Sequence, residues 1–243
     1  MLNKIILASK SKVRKEILDK HQIRCDVKPS NVDEDLVKEA LIRELASPEI
    51  ISKNLAELKA NKVSLSQKDK MVLGADSVID LGGELISKPE TREEALIILK
   101  KLNGKKHNLI SSVCISKNGL MIWNYTDKAE LTMKSFSEEY LKNYLSKIPD
   151  ETLYAYNVYQ IEGEGRNLFS DIVGDKDTIM GLPVIKIKEY LNLAGIDSEN
   201  FSGHSLRSGF ATVAAGSGAD EKSIMTMTGH KTTQMVRRYI KES

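Results

Sequence analysis

Two kinds of apolar pattern alternate through the first 195 residues, and this alternation narrows the fold more than any other feature. Residues 4 to 8, apolar from Ile5 onward, read as a buried strand, while Val13, Ile17 and Leu18 fall on one helical face after Ser11. Ser9-Lys10-Ser11 is the strand-to-helix loop between them, where Ser11 can cap the helix and the exposed amides favour an anion. The pattern repeats. Asp33-Glu34-Asp35 precedes a helical stretch, Ser47-Pro48 opens another, and Met71 to Asp80 reads as a strand. Thr91-Arg92-Glu93-Glu94 has capping-box spacing ahead of Ala95, Ile98, Leu99 and Leu102 at helical period. Leu109 to Ile115 and Lys128 to Met133 read as strands, Ser137 to Leu145 and Pro183 to Leu193 as helices. Strands alternating with helices predict an α/β domain.

Composition excludes several classes. With 243 residues, 41% hydrophobic and 29% charged, the chain suits a soluble globular protein, and no window approaches the roughly 18 consecutive apolar residues of a membrane span. The apolar run at the start turns polar at once, unlike a signal peptide, so a cytoplasmic location is expected. A net charge of +2 supplies little attraction to a nucleic-acid backbone. Cys25 and Cys114 sit in apolar contexts without a CxxC partner and read as small buried hydrophobes.

The chemistry centres on Gly74-Ala75-Asp76-Ser77-Val78. An ionised Asp76 in a strand that is otherwise apolar and small needs a cation or a proton. With a second carboxylate from Asp33-Glu34 and the amines of Lys59 and Lys88, it forms the set required to hold a divalent metal and neutralise phosphate oxygens. A structural salt bridge would satisfy the same residues.

Six ordered segments carry a resemblance. Leu7-Ala8-Ser9-Lys10-Ser11-Lys12-Val13-Arg14, Val32-Asp33-Glu34, Gly74-Ala75-Asp76-Ser77-Val78, Ser87-Lys88-Pro89, Tyr159-Gln160-Ile161-Glu162-Gly163 and Gly181-Leu182-Pro183 resemble the motifs of the Maf family, over roughly residues 1 to 195. The resemblance implies a mixed sheet with flanking helices. It also implies a cytoplasmic nucleoside triphosphate pyrophosphatase that uses a divalent cation, Mg or Mn, and cleaves between the α and β phosphates. Some members of the family clear unwanted or modified nucleotides and restrain cell division. Carried onto this chain, the family pattern makes Asp76 the general base, gives Glu34 and Asp76 the metal, and gives Ser9, Arg14, Lys59 and Lys88 the triphosphate. Val13, Ser77 and Glu162 fall at positions that select the base. They match neither the Arg, Thr and Gln of the thymidine and uridine triphosphate branch nor the Trp, Gln and Glu of the 7-methylguanosine triphosphate branch, although Glu162 agrees with the second. Lys12 stands where the family usually has Pro, and Tyr156-Asn157 where it usually has Ala-Gly.

From Asp197 to Ser243 the composition shifts: these 47 residues hold five of the fifteen glycines and twelve Ser or Thr. Domains at 1–196 and 197–243 are expected, the second a short, mainly helical appendage. Its segments around His204, Arg207, His230 and Tyr239 resemble the C-terminal end of tyrosine recombinases, or phage integrases, in which these residue types contact and attack a scissile phosphate. The upstream Arg, the hairpin Lys and the DNA clamp of that family have no counterpart here, and the segment's six basic and five acidic residues nearly cancel. The expected role is a fused remnant whose apolar residues pack on the first domain or on a second subunit, as in a homodimer. Two alternatives stand beside the nucleotide-cleaving enzyme: a DNA-binding or strand-transfer module, and a decayed enzyme retained as an interaction partner. Tyr190 to Ile196 resembles both families and is a candidate point of fusion.

Overall fold

The computed structural model describes residues 4–150, 153 and 158–194. The readings made for Tyr156-Asn157 and for residues 195–243 lie outside the described residues. Lys4–Val184 forms one compact unit, and the described residues from 185 to 194 belong to a second.

Seven strands of the first unit make one mixed sheet: β1 (Ile5–Leu7), β2 (Cys25–Val27), β3 (Val72–Leu81), β4 (Glu84–Ile86), β5 (Lys106–Lys117), β6 (Leu120–Met133) and β7 (Phe169–Val173). Their order is β2-β1-β3-β5-β6-β7, with β4 pairing β3. β1 runs parallel to β2 and β3, and the remaining pairs are antiparallel. The helices of this unit are α1 (Lys12–Lys20), α2 (Glu34–Arg43), α3 (Pro48–Ser64), α4 (Arg92–Leu102), α5 (Glu138–Lys147) and the short α6 (Lys176–Ile179); α7 (Val184–Leu193) begins at the boundary between the units. No described helix is long and apolar enough to cross a membrane.

The expected helix starts are built by the predicted caps. Ser11, Ser47, Thr91 and Ser137 each accept a hydrogen bond from the backbone N–H three residues on. The capping box at Thr91 closes one residue earlier than its spacing suggests, because Glu94 Oε2 accepts from the N–H of Glu90 at 2.8 Å. Asp33 is the cap of α2, which places Glu34 inside the helix rather than ahead of it. β5 and β6 are longer than the sequence patterns indicate and form a hairpin turned by Asn118 and Gly119, both at positive φ.

Two packing details position the site. A Cβ at Gly74 would stand 2.2 Å from the carbonyl of Ala56 and 2.7 Å from the amide of Ala60, so only glycine lets α3 lie this close on β3. Second, one edge of β3 pairs with β1 at Val72 and Leu73 and with β4 from Ile79 to Leu81. Residues 74–78 have no strand on that edge among the described residues.

Candidate active site

The opening in the sheet edge is where the sequence motifs converge. Successive strand residues point to opposite faces, so Asp76 faces α3 while Ser77 faces α1 and α6; because no strand closes this edge, both reach one cavity of about 770 Å³. Ser9, Val13, Arg14, Glu34, Lys59, Asp76, Ser77, Lys88 and Glu162 all line it.

On the α3 side, Lys59 and Asp76 are both buried, and Lys59 Nζ lies 2.8 Å from Asp76 Oδ1 and 2.9 Å from a Glu34 carboxylate oxygen. The ammonium therefore bridges the two acids. The close packing at Gly74 brings Lys59 here, because Ala56, Lys59 and Ala60 share the helix face laid on β3. Burial opposes ionisation of Glu34, but Lys59, with Lys38 and Arg14, outweighs it and holds the carboxyl below its usual range. Lys88 lines the same cavity; burial, with repulsion from Arg14, pushes its pKa below that of an ordinary lysine, against the pull of Asp76 and Glu34.

On the other side, Arg14 acts first as a brace. Its Nε donates to the carbonyl of Gly181 at 3.0 Å, Nη1 to the carbonyl of Ala75 at 2.9 Å and to Ser9 Oγ at 3.3 Å, and Nη2 to Ser77 Oγ at 3.2 Å. Four of its five N–H groups are thus committed to protein acceptors, leaving one on Nη2 for a ligand. Ser9 Oγ also accepts from the amide of Ser11 at 3.2 Å, so its hydroxyl hydrogen is its remaining donor capacity. At the far wall, Glu162 pairs with Lys176 at 2.9 Å, which places a cation beside a carboxylate that the sequence presents alone. Tyr159 is held from behind by His107, whose Nε2 lies 2.8 Å from the phenol oxygen.

Sequence reading missed three basic residues on the cavity wall, Lys10, Lys12 and Lys38. Two flank the cap of α1, where an anion is favoured, and Lys38 lies one turn beyond Glu34 on α2; the spacing was a usable signal in both cases.

Among the described residues no three of His, Cys, Asp and Glu come together as a metal cage. The two carboxylates nevertheless fit a hard cation: Asp76 Oδ2 is buried with no hydrogen-bond partner, and an ion such as Mg is commonly held by one or two carboxylates together with phosphate oxygens and water.

The sequence pattern of the family described as Maf-like protein matches residues 4–194. The chain belongs to that family. A nucleoside triphosphate pyrophosphatase of Pelagibacter ubique is 69% identical over 193 residues, which make up 79% of this chain and 99% of that protein. One from Ruegeria pomeroyi is 38% identical over 192 residues, 79% of this chain and 96% of that protein. A 7-methyl-GTP pyrophosphatase of Rhizobium etli is 33% identical over 187 residues, 77% of this chain and 94% of that protein. The phage integrase family matches residues 184–243. The two family matches overlap over residues 184–194, which include the first part of the shared Tyr190–Ile196 stretch.

Proposed function

We propose that this chain is a nucleoside triphosphate pyrophosphatase, hydrolysing the α–β phosphoanhydride bond to give a nucleoside monophosphate and pyrophosphate. The observation that carries the reading is the cavity at the open edge of β3, where a buried carboxylate stands among several cationic side chains in a chain of the Maf-like family. Asp76 is the general base: it takes the proton of the water that attacks phosphorus while the bond to the bridging oxygen breaks. Lys88, Ser9 and the remaining N–H of Arg14 face the phosphate oxygens, and Lys10, Lys12 and Lys38 add positive charge where negative charge accumulates. Glu34 and Asp76 are the residues that would hold a divalent cation, which when bound offsets phosphate charge and lowers the pKa of water. Lys59 bridges these two carboxylates and fixes their separation, a second role beside contact with the triphosphate.

The base end of the substrate lies toward Val13, Ser77 and Glu162, with Lys176 adding a donor beside the Glu162 acceptors. The enzyme acts in the cytoplasm, on nucleotides rather than nucleic acid. Residues 197–243 take no part in the chemistry. The test is a pyrophosphate-release screen of the purified full chain over common and modified nucleoside triphosphates, with magnesium or manganese. Metal-dependent release of equimolar monophosphate and pyrophosphate from at least one triphosphate is expected; orthophosphate release, or none from any nucleotide, would overturn the reading.

A further inference from the structure

Behind the cavity wall, five hydrogen bonds form a closed ring. Ser77 and Ser111 face each other across the β3–β5 pair, with their Oγ atoms 2.9 Å apart. Ser111 is fully buried, and its Oγ lies 2.8 Å from the carbonyl oxygen of Thr178. That oxygen also accepts from the amide of Gly181 at 3.0 Å, and the carbonyl of Gly181 accepts from Arg14 Nε at 3.0 Å. Arg14 Nη2 closes the ring on Ser77 Oγ at 3.2 Å.

The ends of this chain fix its direction. A guanidinium can only donate and a carbonyl can only accept, while each serine has one hydrogen. Ser111 therefore gives its hydrogen to Thr178, and Ser77 gives its own to Ser111. Reversal would take the Ser111 hydrogen from the Thr178 oxygen, leaving that oxygen without its second donor, and would turn the Ser77 hydrogen out of the ring. Ser77 already accepts from Arg14, so what it can present to the cavity is one lone pair and no hydrogen.

We propose that Ser111 is a positioning residue that makes Ser77 an obligate hydrogen-bond acceptor, so that the group of the nucleotide facing Ser77 must carry an N–H or O–H. The proposal rests on the nucleotide reading above and adds the sign of one contact. A ligand acceptor placed against the Ser77 lone pair would be desolvated without a partner, a mismatch that enzymes convert into selectivity. Val13 alongside is apolar and cannot compensate, and the ring also anchors the Met180–Gly181 loop of the cavity wall.

Removing the Ser111 hydroxyl frees the Ser77 hydrogen to rotate toward the ligand, and discrimination by donor pattern should fade. The experiment compares kcat/KM for three matched pairs: UTP with CTP, ATP with inosine triphosphate, and GTP with its 2′-deoxy counterpart. Members of each pair share the triphosphate and differ in donors at fixed positions. In Ser111→Ala at least one ratio that wild type holds far from unity should collapse by about tenfold or more, and Ser111→Thr, which keeps the hydroxyl, should restore it. Ser111→Cys keeps the volume with a much weaker donor and should fall between them, providing a reading if alanine impairs folding. Ratios unchanged within about twofold in folded Ala and Cys variants would overturn the proposal, as would a Thr variant that behaves like Ala. A wild-type chain that releases pyrophosphate from none of the six would remove the nucleotide reading itself, and this proposal with it.

Discussion

Arg14 Nε donates to the carbonyl of Gly181, 167 residues further along the chain, at 3.0 Å. This bond ties the start of α1 to the loop after α6, and a second tie, His21 Nε2 to Asp177 Oδ2 at 2.7 Å, secures the other end of α1 to α6. Gly181 is at φ 95°, where an L side chain is strained, and a Cβ there would stand 3.0 Å from Ser77 Oγ and 3.6 Å from the Arg14 guanidinium. Gly181→Ala should lower stability by about 1–3 kcal/mol and raise KM more than it lowers kcat, because it displaces Arg14 and Ser77, whose proposed role is to contact the ligand rather than the attacking water. Urea denaturation and steady-state kinetics check the two parts; a variant with wild-type KM would show that the loop yields without moving Arg14.

Asp76→Asn keeps the side-chain shape and removes the charge paired with Lys59. Turnover should fall by about a thousandfold or more, since the proton acceptance and metal holding proposed for Asp76 would both be lost. The buried Lys59 keeps Glu34 as a partner, so the stability cost should stay below the roughly 3–5 kcal/mol of an abandoned buried charge. Pyrophosphate release and chemical denaturation measure these; near-normal turnover would remove Asp76 from the mechanism.

His107 predicts a defined acid sensitivity. Burial, against a smaller opposing contribution from the Lys105 backbone, pushes its pKa down to about 4 from the ordinary 6.5. The unfolded chain therefore binds more protons between these values, so the stabilisation is complete above about pH 6.5 and is lost as pH falls through 4. The shift corresponds to about 3 kcal/mol. Denaturation midpoints recorded from pH 7 to pH 4 should decline in the wild type and decline less in His107→Gln. Parallel pH slopes for the two proteins would contradict this origin.

Truncation after Ile196 should leave nucleotide hydrolysis within about twofold of the full chain, because every residue assigned to the cavity precedes residue 184. The Pelagibacter ubique relative supports this, as 193 matched residues make up 99% of that protein. Tyr239→Phe should be silent in the same assay, since its hydroxyl would matter only as a recombinase-type nucleophile. Loss of hydrolysis by a truncated chain with an intact circular dichroism spectrum would bring the tail into the site.

Local sequence determined the parts that depend on near neighbours. The caps at Ser11, Ser47, Thr91 and Ser137, the buried face of α1 and the apolar run of β3 follow from spacing and side-chain chemistry within a few residues. The half of β6 at 120–127 escaped, although Asn118-Gly119 was a legible hairpin signal, because its largely exposed residues lack the alternation that burial on one face imposes. A resemblance in six short motifs pointed to the residues of the cavity. Tertiary structure decided how they meet. Asp76 and Ser77 are adjacent in sequence and face opposite sides of the sheet; they share a cavity because β1 and β4 leave a gap on one edge of β3, a consequence of strand order that no local pattern contains. Lys59 bridges Asp76 and Glu34 because Gly74 admits the backbone of α3, and Arg14 is a brace because Gly181 returns to it from the far end of the unit. Periodicity specifies the face a side chain takes, whereas its partners depend on which distant segments the closed chain lays against that face.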